Sequence, residues 1–161
     1  MNEKKTLTDY QAAWLKAQKY CVYQERSQQE VRNKLYEWGV ARKEVEILIA
    51  ELISHNYINE ERFALTLAGG KFRIKKWGKI KIKQALKMHQ ISDYCIKKAL
   101  AQISEKDYEN CIKQLIVKKW GKQSKKLSWE EEQKTYQFLY GKGFENDAVT
   151  RVLKDIKDGK T

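Results

Sequence analysis

The chain has 161 residues, 42% of them apolar, and carries 33 Lys or Arg against 21 Asp or Glu, a net charge of +12. That composition can bury a core and is not that of a disordered chain, and no uncharged stretch nears the ~18 residues of a membrane span. MNEKKTLTDY at the start has no apolar run of the signal-peptide kind, and the absence of proline points to an all-helical protein.

In chain order, residues 1–8 read as a tail. From Asp9 to Arg26, Ala13, Ala17, Tyr20 and Cys21 recur at three- and four-residue steps, one face of a helix, with Trp14 beside it. Ser27 with Glu30 forms a capping box for the next helix, which carries Val31, Leu35 and Trp38 and stops at Gly39. A third helix bears Val45, Leu48, Ile49, Leu52 and Ile53 and closes through His55-Asn56-Tyr57-Ile58. Asn59 caps a fourth, whose buried face is expected to hold Phe63, Leu67, Phe72 and Ile74, and which Gly69-Gly70 should kink or loosen. Trp77-Gly78 is the break.

Lys79–Lys83, KIKIK, alternates like a strand. The run is short and Ala85, Leu86 and Met88 continue it, so it reads as helix, with Ile82, Leu86 and His89 on one face and Ile91 in the turn. Ile96, Leu100 and Ile103 line the sixth helix. Ser104 with Asp107 opens a seventh, bearing Tyr108, Cys111, Ile112 and Leu115 and broken at Trp120-Gly121. Lys122 to Leu127 reads as a basic loop, and Ser128 with Glu131 as a second capping box. Tyr136, Leu139 and Tyr140 line the eighth helix, Phe144 sits in its turn, and Val149, Val152, Leu153 and Ile156 line the ninth. Lys157 to Thr161 reads as frayed tail.

The units repeat. Leu35, Leu86 and Leu139 correspond, with Val40, Ile91 and Phe144 five residues on and Val45, Ile96 and Val149 five beyond that. Ile49, Leu100 and Leu153, then Leu52, Ile103 and Ile156, complete the pattern, and KKWGK occurs at both Lys75–Lys79 and Lys118–Lys122. Self-similarity of this kind marks a tandem helical array. The expected fold is all-α: three three-helix, helix-turn-helix-like repeats at 9–58, 59–103 and 104–157, in an elongated and curved array, with 158–161 as a tail.

Charge is concentrated in the second unit. Residues 61–104 hold eleven basic against two acidic side chains, and no acid lies between Phe63 and Ser92. Lys79, Lys83 and Lys87 fall at i, i+4 and i+8 on one helix face, with Lys71, Arg73, Lys75 and Lys76 just before them. A localised run of this kind suits a polyanion or an acidic protein groove, whereas the bland reading is a solvated face. Lysine is a point charge for phosphates and carries no sequence information, so contact with single- or double-stranded DNA is expected to be weak, salt-sensitive and non-specific. Trp77 and Trp120 could stack on bases, or simply seal repeat junctions.

Catalytic chemistry finds little support. His55 and His89 stand alone, Gly69-Gly70-Lys71 lacks the first glycine and the Ser/Thr of a phosphate loop, and no cofactor motif is present. Cys21, Cys95 and Cys111 are odd in number without CxxC spacing, which fits buried thiols in a reducing, cytoplasmic setting.

Tyr57-Ile58-Asn59-Glu60-Glu61-Arg62-Phe63-Ala64, then Trp77-Gly78 and a helix ending Gln90-Ile91-Ser92, resembles the RecX regulatory family. That family has a similar Tyr-[Leu/Ile]-[Asn/Asp]-x-x-Arg-Phe block followed by a basic stretch. Arg26, Ser27, Glu30 and Leu35 look like its Arg-Ser segment; Gly121, Leu139, Gly143 and Phe144 fall in blocks similar to its third repeat. Ile82, Leu86 and Ile91 match its Ile-x-x-x-Leu helix. Lys79 replaces the family's proline, Val31 a leucine, and Gln90 a glycine, so Gln90 must adopt a turn conformation that glycine takes easily. The resemblance implies a non-enzymatic modulator of the RecA recombinase that binds the groove of the RecA–DNA filament and, as most of the family do, inhibits ATPase and strand exchange; a monomer is expected. Lys71, Arg73, Lys75, Lys76, Lys79, Lys83 and Lys87 are the expected docking cations, joined by Lys118, Lys119 and Lys122. Phe63 is expected in the core, and Arg62 to pair with a neighbouring unit. A helical nucleic-acid binder without a recombinase partner is the alternative.

Overall fold

The computed structural model describes residues 10–160, and Asp9, the start of the first expected helix, lies outside them. Among the described residues the chain is all-helical: α1 Tyr10–Tyr23, α2 Gln28–Glu37, α3 Arg42–Ser54, α4 Glu60–Arg73, α5 Lys79–Met88, α6 Asp93–Ala101, α7 Glu105–Trp120, α8 Trp129–Gly141 and α9 Asn146–Lys157. A 3-10 turn, Gly121–Lys125, replaces part of the expected basic loop.

Local chemistry explains the starts and stops. Ser27 and Ser128 each complete a capping box, with Glu30 and Glu131 reaching back to the cap amide. Asn59, Ser92 and Ser104 accept from Arg62, Cys95 and Asp107 amides. The turn between the second and third helix of each unit places one residue in the left-handed region: Gly39 at φ 80°, Gln90 at 57° and Gly143 at 95°. Gln90 therefore does adopt the glycine conformation, at the strain cost of a side chain there.

The repeat positions form the cores. Leu35, Leu86 and Leu139 are fully buried, as are the residues five and ten positions on, save that Val40 and Ile91 keep a small exposed edge. Of the fifteen repeat positions, Leu100 is half-buried. Among the described residues, however, the cores number two. One, around Leu35, Leu48, Leu52 and Ile58, belongs to α1–α3 alone. The other runs without interruption from Phe63 and Leu86 through Tyr108 and Ile112 to Phe144 and Ile156, so the second and third units share it.

Four expectations are corrected. Ile74 is 78% exposed rather than buried: as the C-cap of α4, its N–H bonded to the Gly70 carbonyl, it continues the outer face of the helix. Ile53 and Tyr140 are likewise exposed, each on the outer edge of its helix. α4 runs as one helix through Gly69-Gly70. Residues 158–160 are not frayed: Gly159, at φ 69°, closes α9 with Lys160 N–H donating to the Asp155 carbonyl at 2.9 Å.

The first unit meets the second through polar contacts. Arg62 pairs with Glu25 and donates to the Asn56 carbonyl at 3.0 Å. Ser27 Oγ lies 3.1 Å from His89 Nδ1, and Glu30 sits beside the same ring. The second unit meets the third backbone to backbone. Gly78 N–H donates to the Lys142 carbonyl at 2.8 Å, and Ile80 N–H to Gly143 at 3.0 Å. Lys79 N–H donates to Tyr108 Oη at 3.0 Å, and that hydroxyl donates to Glu145. The unpaired amides of the first turn of α5, which has no side-chain cap of its own, are thus satisfied by the next unit.

Candidate functional site

The ten expected docking cations lie on five pieces of chain, three before α6 and two after it. Lys71 and Arg73 are in the last turn of α4, where a cation complements the helix dipole. Lys75 and Lys76 form the turn to α5, Lys76 in the left-handed region at φ 56°. Lys79, Lys83 and Lys87 run along α5, whose Ile82 and Leu86 are fully buried on the opposite side. Lys118 and Lys119 close α7, and Lys122 is in the 3-10 turn.

Nine ion pairs occur among the described residues, and none engages any of these ten cations. Seven basic side chains elsewhere are paired, among them Lys98 with Glu61 at 2.7 Å, Arg32 with Glu46 at 2.7 Å and Arg151 with Glu109 at 3.3 Å. Carboxylates approach the band at its edges, where Asp107 shares a small cavity with Arg73 and Lys76, and Glu145 is held by Tyr108 beneath Lys79.

The fold joins the two lysine groups through residues that the charge pattern did not single out. Lys142 Nζ donates to the Lys75 carbonyl at 3.4 Å across the joint and lies 5.9 Å from the Phe138 ring centre. Lys119 covers the same ring at 4.6 Å. Lys71 and Lys81 lie 4.7 and 4.6 Å from the Trp77 ring, and Lys79 4.8 Å from Tyr108. Ring quadrupoles favour cations at such distances, so these flexible side chains are held in place. Lys75, Lys142 and Lys119 therefore form one band across the joint. Lys83 and Lys87 extend from it along α5 toward the first unit, while Lys122 has no contact that ties it in.

The two KKWGK copies differ. In the first, Gly78 is extended, buried and caps α5; in the second, Gly121 takes φ 60° and ends α7 in open space. Trp77 is half-buried between lysines, while Trp120 Nε1 donates to Thr135 Oγ1 at 2.8 Å. The shared sequence does not give a shared site.

Phe63 is 4% exposed and packs on His89, with ring centres 5.0 Å apart. His55 ends α3, its Nδ1 2.9 Å from the Glu51 carbonyl. The three cysteines are free and buried, and burial pushes the Cys21 thiol up to about 11. Among the described residues no cluster of His, Cys, Asp or Glu is arranged to hold a metal ion, and no helix is long and apolar enough to cross a membrane.

Models of the first, second and third three-helix domains of RecX match residues 13–52, 59–100 and 105–153. The chain is similar to the regulatory protein RecX of Bacillus mycoides, 27% identical over 154 residues, covering 94% of this chain and 56% of that one. The Bacillus cytotoxicus protein of the same name is 28% identical over 153 residues, with the same coverage. The chain thus spans little more than half the length of these curated relatives. The crystal structure of RecX from Lactobacillus salivarius superposes with a TM-score of 0.81 at 23% identity, covering 91% of this chain and 96% of that chain. Three domain models matched in order, on a fold of three three-helix units, settle the family: the chain belongs to the RecX family of regulatory proteins.

Proposed function

We propose that the chain is a non-enzymatic, cytoplasmic regulator of the RecA recombinase. It docks its basic band on the RecA–DNA filament as a monomer and lowers ATP hydrolysis and strand exchange. The observation that carries this reading is the freedom of the band. Ten cations that the fold leaves without an ion-pair partner lie on α4, α5, α7 and the turns after α4 and α7, and all but Lys122 belong to or adjoin the band, while seven basic side chains elsewhere are held by carboxylates. Unpaired, partly oriented ammonium groups keep their charge for an external anion, whether DNA phosphates or acidic side chains of the filament. α5 alone spans roughly 15 Å, so its lysines reach several phosphates.

ATP hydrolysis by the cognate recombinase on single-stranded DNA, with this protein titrated in, tests the reading. A fall well below one copy per protomer is expected. Trp77 and Phe138, each flanked by lysines, favour a second reading as a binder of bare nucleic acid. An unchanged ATPase together with tight, salt-sensitive binding to bare DNA would select it.

A further inference from the structure

The outer face of α4 carries a stripe that the fold uses only at one end, where Phe63 and Leu67 reach the core. Phe63, Leu67, Gly70 and Ile74 are spaced four, three and four residues apart, the spacing of a helix-packing seam. Phe63 is the floor at one end, Leu67 is half-buried, and Ile74 is 78% exposed at the other. Two cavities of about 410 and 240 Å3 lie on this face and share Thr66, Leu67 and Lys71, so they make one groove. Gly70 sits in its middle. A Cβ there would meet nothing within 4 Å, so no packing inside the chain requires glycine, which is a poor helix former. What glycine does provide is room for another backbone to come close. Lys71 and Lys75 edge the groove without acidic partners, whereas Glu25 and Glu30 at the far end are already held by Arg62 and Arg26.

We propose that this groove receives an amphipathic helix of the partner protein, with an apolar seam and an acidic flank. The proposal rests on the filament-regulator reading and assigns Lys71 and Lys75 to protein carboxylates rather than phosphates. An apolar floor does not suit a phosphate backbone, and the four-three-four spacing matches helix ridges. From Phe63 to Ile74 the seam is roughly 16 Å long, about three turns of a partner helix.

The test uses the full chain and RecA–single-stranded-DNA filaments. Ile74→Asp and Gly70→Trp should each lower filament affinity at least tenfold, with the circular dichroism spectrum and the affinity for bare single-stranded DNA unchanged. A photo-crosslinking benzoylphenylalanine at position 74 should capture a recombinase peptide with helical apolar spacing and acidic residues. Wild-type binding with both variants at full affinity, or crosslinks to DNA alone, overturns the groove and spares the filament reading. Failure of the wild-type chain to bind the filament overturns both. Because Ile74 is exposed, its variant keeps the test valid even if Gly70→Trp misfolds.

Discussion

Gly78 and Gly143 touch backbone to backbone, and no side chain fits between them. A Cβ on Gly78 would be driven into the Gly143 peptide, and one on Gly143 into Lys81. This contact sets the joint of the second and third units and lets the Lys142 and Gly143 carbonyls accept from the first turn of α5. Gly78→Ala is expected to cost about 1–3 kcal/mol by overpacking. Gly143→Ala should cost roughly 1–2 kcal/mol more, because φ 95° disfavours any side chain. Gly121→Ala, in open space at φ 60°, should show the conformational cost alone. Urea unfolding of the three variants ranks them.

Gly70 predicts the opposite sign. Its added methyl meets nothing in the chain, so Gly70→Ala should stabilise α4 by up to about 1 kcal/mol and raise Tm by roughly 2–4 °C. Calorimetry checks it, and a loss of stability would show that Gly70 serves the fold.

Tyr108 should make the joint sensitive to alkali. Burial, and then its hydrogen bond to Glu145, raise the hydroxyl above the ordinary tyrosine value of 10.0. A raised folded value favours the neutral form. Its contribution is therefore complete below about pH 10 and is lost as pH rises beyond. Tyr108→Phe strands the Lys79 amide and the Glu145 carboxylate, and should cost about 1–3 kcal/mol at pH 7. It should also flatten the loss of stability between pH 9 and 11, measured by urea unfolding across that range.

The helices were legible because short-range chemistry writes them. Ser27 with Glu30 and Ser128 with Glu131 cap helices whichever neighbours they meet, and Leu35, Leu86 and Leu139 repeat because each fills the same three-helix centre. The exposure of Ile74 and Tyr140 is not legible in the sequence, because periodicity marks a helical face but not how wide its buried stripe is. The candidate cations could be counted from charge, yet their grouping could not. Lys142 and Phe138 enter the band only through the Gly78–Gly143 contact, and that contact follows from a turn geometry that residue spacing does not reveal. KKWGK shows the same limit, since identical residues end one helix and begin another.

The most direct test of the central claim compares two triple variants for binding to RecA filaments on single-stranded DNA. Lys75→Glu, Lys119→Glu and Lys142→Glu together reverse the band; Lys97→Glu, Lys106→Glu and Lys154→Glu reverse the same charge elsewhere. If the band docks on the filament, the first set loses at least tenfold in affinity, while the second stays near wild type. Where the contacts are to DNA phosphates, the band set also lowers the slope of log affinity against log salt by about 2. Equal losses in the two sets would mean that net charge, and not this surface, attracts the filament.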